Sequence, residues 1–107
     1  MQIEELNKFA ALFDIYGNLL SKTQHELMSE FLNFNLSETE LAESAGSSRQ
    51  SVHDAITKAK KQLLVFEEKC GVLKSRFEAK EQLLKLKTLL GKNEVAEKSI
   101  EHIIDNI

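Results

Sequence analysis

The sequence predicts an all-α fold: a three-helix core that carries a helix-turn-helix, extended by long C-terminal helices. Three observations lead there. Proline is absent and only 4 of 107 residues are glycine, so little interrupts helix formation. Apolar residues recur at steps of three and four, the helical period, along most of the chain. The stretch Leu36 to Lys61, LSETELAESAGSSRQSVHDAITKAKK, has the layout of two short helices joined by a glycine turn.

The elements follow in order. Ile3, Leu6, Ala10, Phe13, Gly17 and Leu20 form an amphipathic stripe on a first helix. Ser21-Lys22-Thr23-Gln24 is a capping box, in which the serine hydroxyl and the glutamine side chain satisfy each other's backbone N–H groups. It opens a second helix whose Leu27, Met28, Phe31, Leu32 and Phe34 are expected to face inward and brace the motif. Ser37 and Glu40 make a second capping box, and Glu38 and Glu40 suit the positive end of the helix. On that helix Leu41 and Ala45 share a face, while Ala42 is small enough for a second helix to cross closely. Gly46 stands where the chain must reverse with positive φ, and Ser47 and Ser48 offer the next N-cap.

The following helix turns Val52, Ala55, Ile56 and Ala59 inward. Its apolar series continues in register through Leu63, Phe66, Cys70, Leu73 and Phe77, which favours one long helix to about Leu90. Gly71 argues against continuity, because glycine in a helix interior costs about 1 kcal/mol relative to alanine. Gly91 and Asn93 read as a stop and a cap before a last helix with Val95, Ile100, Ile103 and Ile104. The expected organisation is a single domain over 1–107: a helical core at 1–61 with the helix-turn-helix at 37–61, and a C-terminal extension at 62–107. A helix from Arg49 to Leu90 would be about 60 Å long, more than one small core covers, so a homodimer is expected to bury its stripe. The competing arrangement is a hairpin, with 95–107 folded back on 83–90.

The outward face of the second motif helix carries the chemistry. Ser48, Arg49, Gln50, Ser51, His53, Asp54 and Thr57 point away from the apolar stripe, with Lys58, Lys60 and Lys61 behind them. Arginine can bond both major-groove acceptors of guanine, glutamine pairs with the adenine edge, serine bonds either, and lysines meet phosphates. These ten residues are the candidate nucleic-acid interface, weighed against an ordinary solvated polar face. The formal net charge is −3, yet it is unevenly spread. Between Ser47 and Lys61 four cations, Arg49, Lys58, Lys60 and Lys61, face one acid, Asp54, whereas acids outnumber cations before Ser47. So few cations imply modest, strongly salt-sensitive affinity.

The central segment, SRQSVHD, and the flanking NKFAALFDIYGNLLSKTQ and LLVFEEKCGVLKSRF resemble the YlxM-like family of small bacterial helix-turn-helix proteins, themselves similar to region 4 of sigma factors. The chain departs from that pattern at Ser47, where an aliphatic residue is usual, and at His53, where an aromatic is more usual. The resemblance implies a sigma region 4-like, dimeric, all-helical protein. It further implies a regulatory role in the signal recognition particle pathway, because the gene of such proteins commonly neighbours that of the particle's GTPase.

Other classes find little support. His25, His53 and His102 are scattered, one cysteine cannot complete a metal set, and no glycine-rich phosphate loop follows a strand. No enzyme, cofactor or metal is expected. No apolar run is long enough to span a bilayer, and Cys70 alone makes no internal disulfide. No leader pattern is read in the first twenty residues, so the expected location is cytoplasmic. Cys70 itself is expected to pack as a small apolar residue. Three functions remain: a regulator reading duplex DNA, an accessory protein binding the signal recognition particle RNA or GTPase without sequence-specific DNA recognition, and a helical oligomerisation module.

Overall fold

The computed structural model describes residues 2–107; Met1 lies outside the described residues. Among these, the regular elements are helices and no strand forms: α1 (Ile3–Tyr16), a 3₁₀ turn (Gly17–Leu19), α2 (Lys22–Asn33), α3 (Glu38–Ala45), α4 (Arg49–Cys70), α5 (Val72–Leu90) and α6 (Glu94–Asp105). The all-α class and the helix-turn-helix are as predicted. The helices gather into two compact units, one reaching to Cys70 and the other spanning Gly71–Ile107.

In the first unit α4 is the central helix and packs against α1, α2 and α3. Both predicted capping boxes form. The Gln24 N–H donates to Ser21 Oγ at 3.2 Å and the Ser21 N–H to Gln24 Oε1 at 3.2 Å. The Glu40 N–H likewise donates to Ser37 Oγ at 3.1 Å and the Ser37 N–H to Glu40 Oε1 at 3.3 Å. The helix starts are therefore pinned by local hydrogen bonds before any packing is counted. The core consists of Phe9, Leu12, Tyr16 and Leu20, Met28, Leu41 and Ala42, and the α4 stripe Val52, Ile56, Ala59 and Leu63. Tyr16 also donates its hydroxyl to Glu67 Oε1 at 2.7 Å, tying the end of α1 to the distal part of α4.

Two expectations, at Phe34 and Cys70, are corrected here, and the α1 stripe, suited by its spacing to core or partner, is packed only in part. The buried stripe of α1 runs through Phe9, Leu12 and Tyr16; Ile3 and Ala10 are exposed and Leu6 and Phe13 only half-buried. The helix carries apolar residues on two faces, so spacing alone could not choose the phase. Phe34 is 70% exposed, because α2 ends at Asn33 and the helical phase no longer applies to it. Cys70 is exposed rather than packed.

The long helix expected to run through Gly71 is two helices. Gly71 adopts φ 62° and ψ 24°, the left-handed region, which ends α4, and its carbonyl accepts the Ser75 N–H at 3.0 Å to start α5. A Cβ at Gly71 would meet no atom within 4 Å, so backbone conformation and not crowding selects glycine there.

In the second unit α5 and α6 pack on each other as a hairpin. Asn93 caps α6 as predicted, accepting the Ala96 N–H at 3.1 Å, and Gly91 closes α5 with φ 65°. Lys87 Nζ meets Glu101 Oε1 at 3.1 Å across the pair. Ile100 is buried, 4% exposed, whereas Leu84, Leu86, Leu89, Leu90 and Val95 remain exposed. No described helix is long and apolar enough to cross a membrane.

Candidate nucleic-acid interface

The corner of the motif is built by Gly46. Its φ of 67° and ψ of 28° turn the chain, and its N–H and that of Ser47 both reach the Ala42 carbonyl, the latter at 3.0 Å. These two bonds satisfy the end of α3 and aim the next residues into α4. Ser48 then caps α4: its hydroxyl accepts the Ser51 N–H at 3.1 Å and its carbonyl the Val52 N–H at 3.1 Å. Ser47 is exposed and lines an open groove with Leu27, Ala45, Val52 and Ala55, beside Glu26 and Glu30. An aliphatic side chain at this position would have apolar neighbours to cover.

With Val52, Ile56, Ala59 and Leu63 buried, the opposite side of α4 faces solvent. Arg49, Gln50, Ser51, His53, Asp54, Thr57, Lys58 and Lys61 are all exposed, as is the capping Ser48. Gln50, Asp54, Thr57 and Lys61 stand at helical spacing in one row directly opposite the core stripe. That row is about 16 Å long at 1.5 Å per residue, enough to place its N-terminal turns in a major groove about 12 Å wide while Lys61 reaches a bordering strand.

Lys60 does not belong to this face. It is half-buried, and its ammonium lies 5.4 Å from the Phe9 ring centroid and 5.3 Å from that of Phe31. Two turns of packing stand behind that placement: Lys60 follows Ile56 by four residues and precedes Leu63 by three, so it flanks the core stripe rather than opposing it. Its charge is engaged by the aromatic faces of α1 and α2.

Three side chains of the outer face, Gln50, Asp54 and His53, are held by internal partners. Gln50 donates its amide to Asp54 Oδ1 at 2.9 Å, one helical turn away. His53 Nδ1 lies 2.9 Å from Glu38 Oε1 and 3.0 Å from Oε2, joining α4 to the first turn of α3. Exposed pairs of this kind contribute only a few tenths of a kcal/mol up to about 1 kcal/mol. A bidentate contact to a base discriminates by about 1–3 kcal/mol, so base contacts can outweigh them. Glu38 is the residue that sequence reasoning missed. It reads as a dipole-complementing acid of the first turn, and only the crossing of α3 over α4 brings it to His53. Among the described residues no three of His, Cys, Asp and Glu are grouped so as to hold a metal ion.

Over residues 3–107 the chain matches the UPF0122 family, described as "Putative helix-turn-helix protein, YlxM / p13 like". The chain belongs to this family. A UPF0122 protein of Clostridium perfringens (strain 13 / Type A) is 34% identical over 106 residues, covering 96% of this chain and 92% of that protein. One from Bacillus cereus (strain AH187) is 33% identical over 106 residues, covering 98% and 96%. One from Clostridium botulinum (strain Alaska E43 / Type E3) is 32% identical over 97 residues, covering 90% and 89%. The resemblance to YlxM-like proteins is thus correct, and the UPF0122 match takes in both compact units, not the helix-turn-helix alone.

Proposed function

We propose that this UPF0122 protein is a cytoplasmic, non-enzymatic regulator that binds duplex DNA through the outer face of α4. The observation that carries the reading is the asymmetry of that helix. Three helices pack on its inner stripe, and the outer face of its N-terminal turns, which follow the Gly46 corner, is left open to solvent. In this reading Arg49, Gln50, Ser51, His53, Asp54 and Thr57 meet base edges, Ser48 stands at the helix start near a phosphate, and Lys58 and Lys61 contact the backbone. Lys60 is left out. The protein acts as a homodimer that places two reading helices on paired half-sites, with the apolar residues exposed on α5 and α6 supplying the dimer contact.

A second reading, an accessory of the signal recognition particle, draws on the same exposed residues. Leu84, Leu86, Leu89, Leu90 and Val95 would suit a protein partner such as the particle's GTPase as well as a second copy. It predicts little duplex selectivity, because the deep, narrow major groove of RNA does not admit a helix.

Anisotropy titrations against a duplex DNA pool and signal recognition particle RNA separate the two. Arg49→Ala is expected to lose roughly tenfold or more in affinity for a selected duplex with helical content unchanged. Replacing Lys58 and Lys61 by alanine flattens the salt dependence by nearly two charges, while Lys60→Ala leaves that slope alone. Arg49-dependent binding to the RNA alone would favour the accessory role.

A further inference from the structure

The pairing of His53 with Glu38 has a chemical consequence for what the reading helix can recognise. A carboxylate at neutral pH only accepts hydrogen bonds, and both Glu38 oxygens lie within 3.0 Å of the same imidazole nitrogen, Nδ1. That nitrogen must therefore carry the proton. In a neutral imidazole the other nitrogen then has a bare lone pair, the reverse of the Nε2–H form that an unpartnered imidazole prefers in water. Glu38 is the better-held partner, its side chain 27% exposed against 52% for His53. Together with Arg49 and Gln50 the pair lines one shallow depression on the outer side of the motif.

We propose that Glu38 is a positioning residue for base recognition: by accepting the Nδ1–H of His53 it turns Nε2 into a hydrogen-bond acceptor on the reading helix, matched to the exocyclic amino group of adenine or cytosine. In the major groove those amino groups are the donors, whereas guanine offers only acceptors. Arg49 and His53 thus divide the work, one reading acceptors and the other donors. The inference rests on the duplex-DNA reading above, but the state of the ring can be measured without DNA.

The test is long-range ¹H–¹⁵N correlation of the histidine rings in the full-length protein in mildly alkaline buffer. Wild type is expected to show Nδ1 protonated and Nε2 bare at His53. In Glu38→Ala the two nitrogens exchange character, while His25, which has a different environment against Phe13, keeps its pattern. The Ser37–Glu40 capping box is untouched by this change, and circular dichroism checks the helices. An Nε2–H form in wild type overturns the proposal, and needs no variant to fold. The second arm selects sites from a duplex DNA pool. Wild type favours a base whose amino group lies in the major groove, adenine or cytosine, opposite His53, and Glu38→Ala shifts that preference towards guanine by roughly five- to tenfold. An unchanged preference beside a changed ring overturns the recognition step. Failure of wild type to bind any duplex overturns the underlying reading, and base selection with it, while the spectrum still decides what Glu38 does to the ring.

Discussion

The two compact units of this chain are built from similar helical material and reach very different degrees of burial. Among the described residues, the unit up to Cys70 encloses eleven large or small apolar residues, among them Leu12, Met28, Leu41, Ala59 and Leu63 with no measurable exposure. In the unit Gly71–Ile107 only Ile100 is buried, and α5 buries no residue at all. The difference lies in topology rather than composition. A helix surrounded by three others loses most of one side to water-free contacts, as α4 does, whereas two helices of a hairpin share a single seam. Leu89, 83% exposed, is as apolar as Leu63; it lacks a third helix to cover it. Stability is therefore concentrated in the first unit, and the second leaves large apolar residues exposed.

Four measurements can break or sharpen that contrast. Leu41→Ala, at the centre of the first unit, is expected to cost about 2–5 kcal/mol in chemical denaturation, through lost burial and the cavity left behind. A cost comparable to a surface change would mean that the first unit is not the stability centre. Gly46→Val comes next. No atom lies within 4 Å of a Cβ there, so the penalty is backbone strain alone, on the order of 1–2 kcal/mol or somewhat more for a β-branched residue at φ 67°. Unchanged stability would refute the left-handed corner. Leu84→Ala, on the second unit, changes the stability of the isolated chain by no more than about 0.5 kcal/mol, as surface substitutions do. In sedimentation equilibrium the same change weakens a homodimer that uses this residue, and an unaltered association constant would remove Leu84 from the interface. The smallest effect is a gain: Ser47→Val covers apolar groove wall from Leu27, Ala45 and Val52 and raises stability by up to about 1 kcal/mol in a thermal melt.

Much of the first unit was legible before any tertiary structure. The helix starts at Ser21 and Ser37, the turn at Gly46 and the inward stripe of α4 all follow from interactions within four residues of one another, as does the cap at Asn93 in the second unit. Where two phases were equally apolar, as in IEELNKFAALFDIY, local pattern could not select Phe9, Leu12 and Tyr16 over the neighbouring stripe. Gly71 shows the same limit from the other side. The apolar register continues across it, but a glycine permits both helix and left-handed turn, and the turn is what forms. The interface divides in the same manner. Exposure of Gln50, Ser51, His53, Asp54, Thr57, Lys58 and Lys61 follows from helical phase and that of Arg49 from its place at the very start of α4, while Lys60 sits at the edge of that phase, where neighbouring rings decide its direction.

The sequence by itself determined the fold class, the motif and its corner, and the side of α4 that faces out, because capping, φ preference and helical period act over one or two turns. Tertiary structure decided which stripe of α1 is buried, that Lys60 turns to Phe9 and Phe31, and that Glu38 holds His53 from fifteen residues away. Each of these depends on how helices cross, and a crossing is fixed by the summed packing of several elements, which no short window of sequence contains.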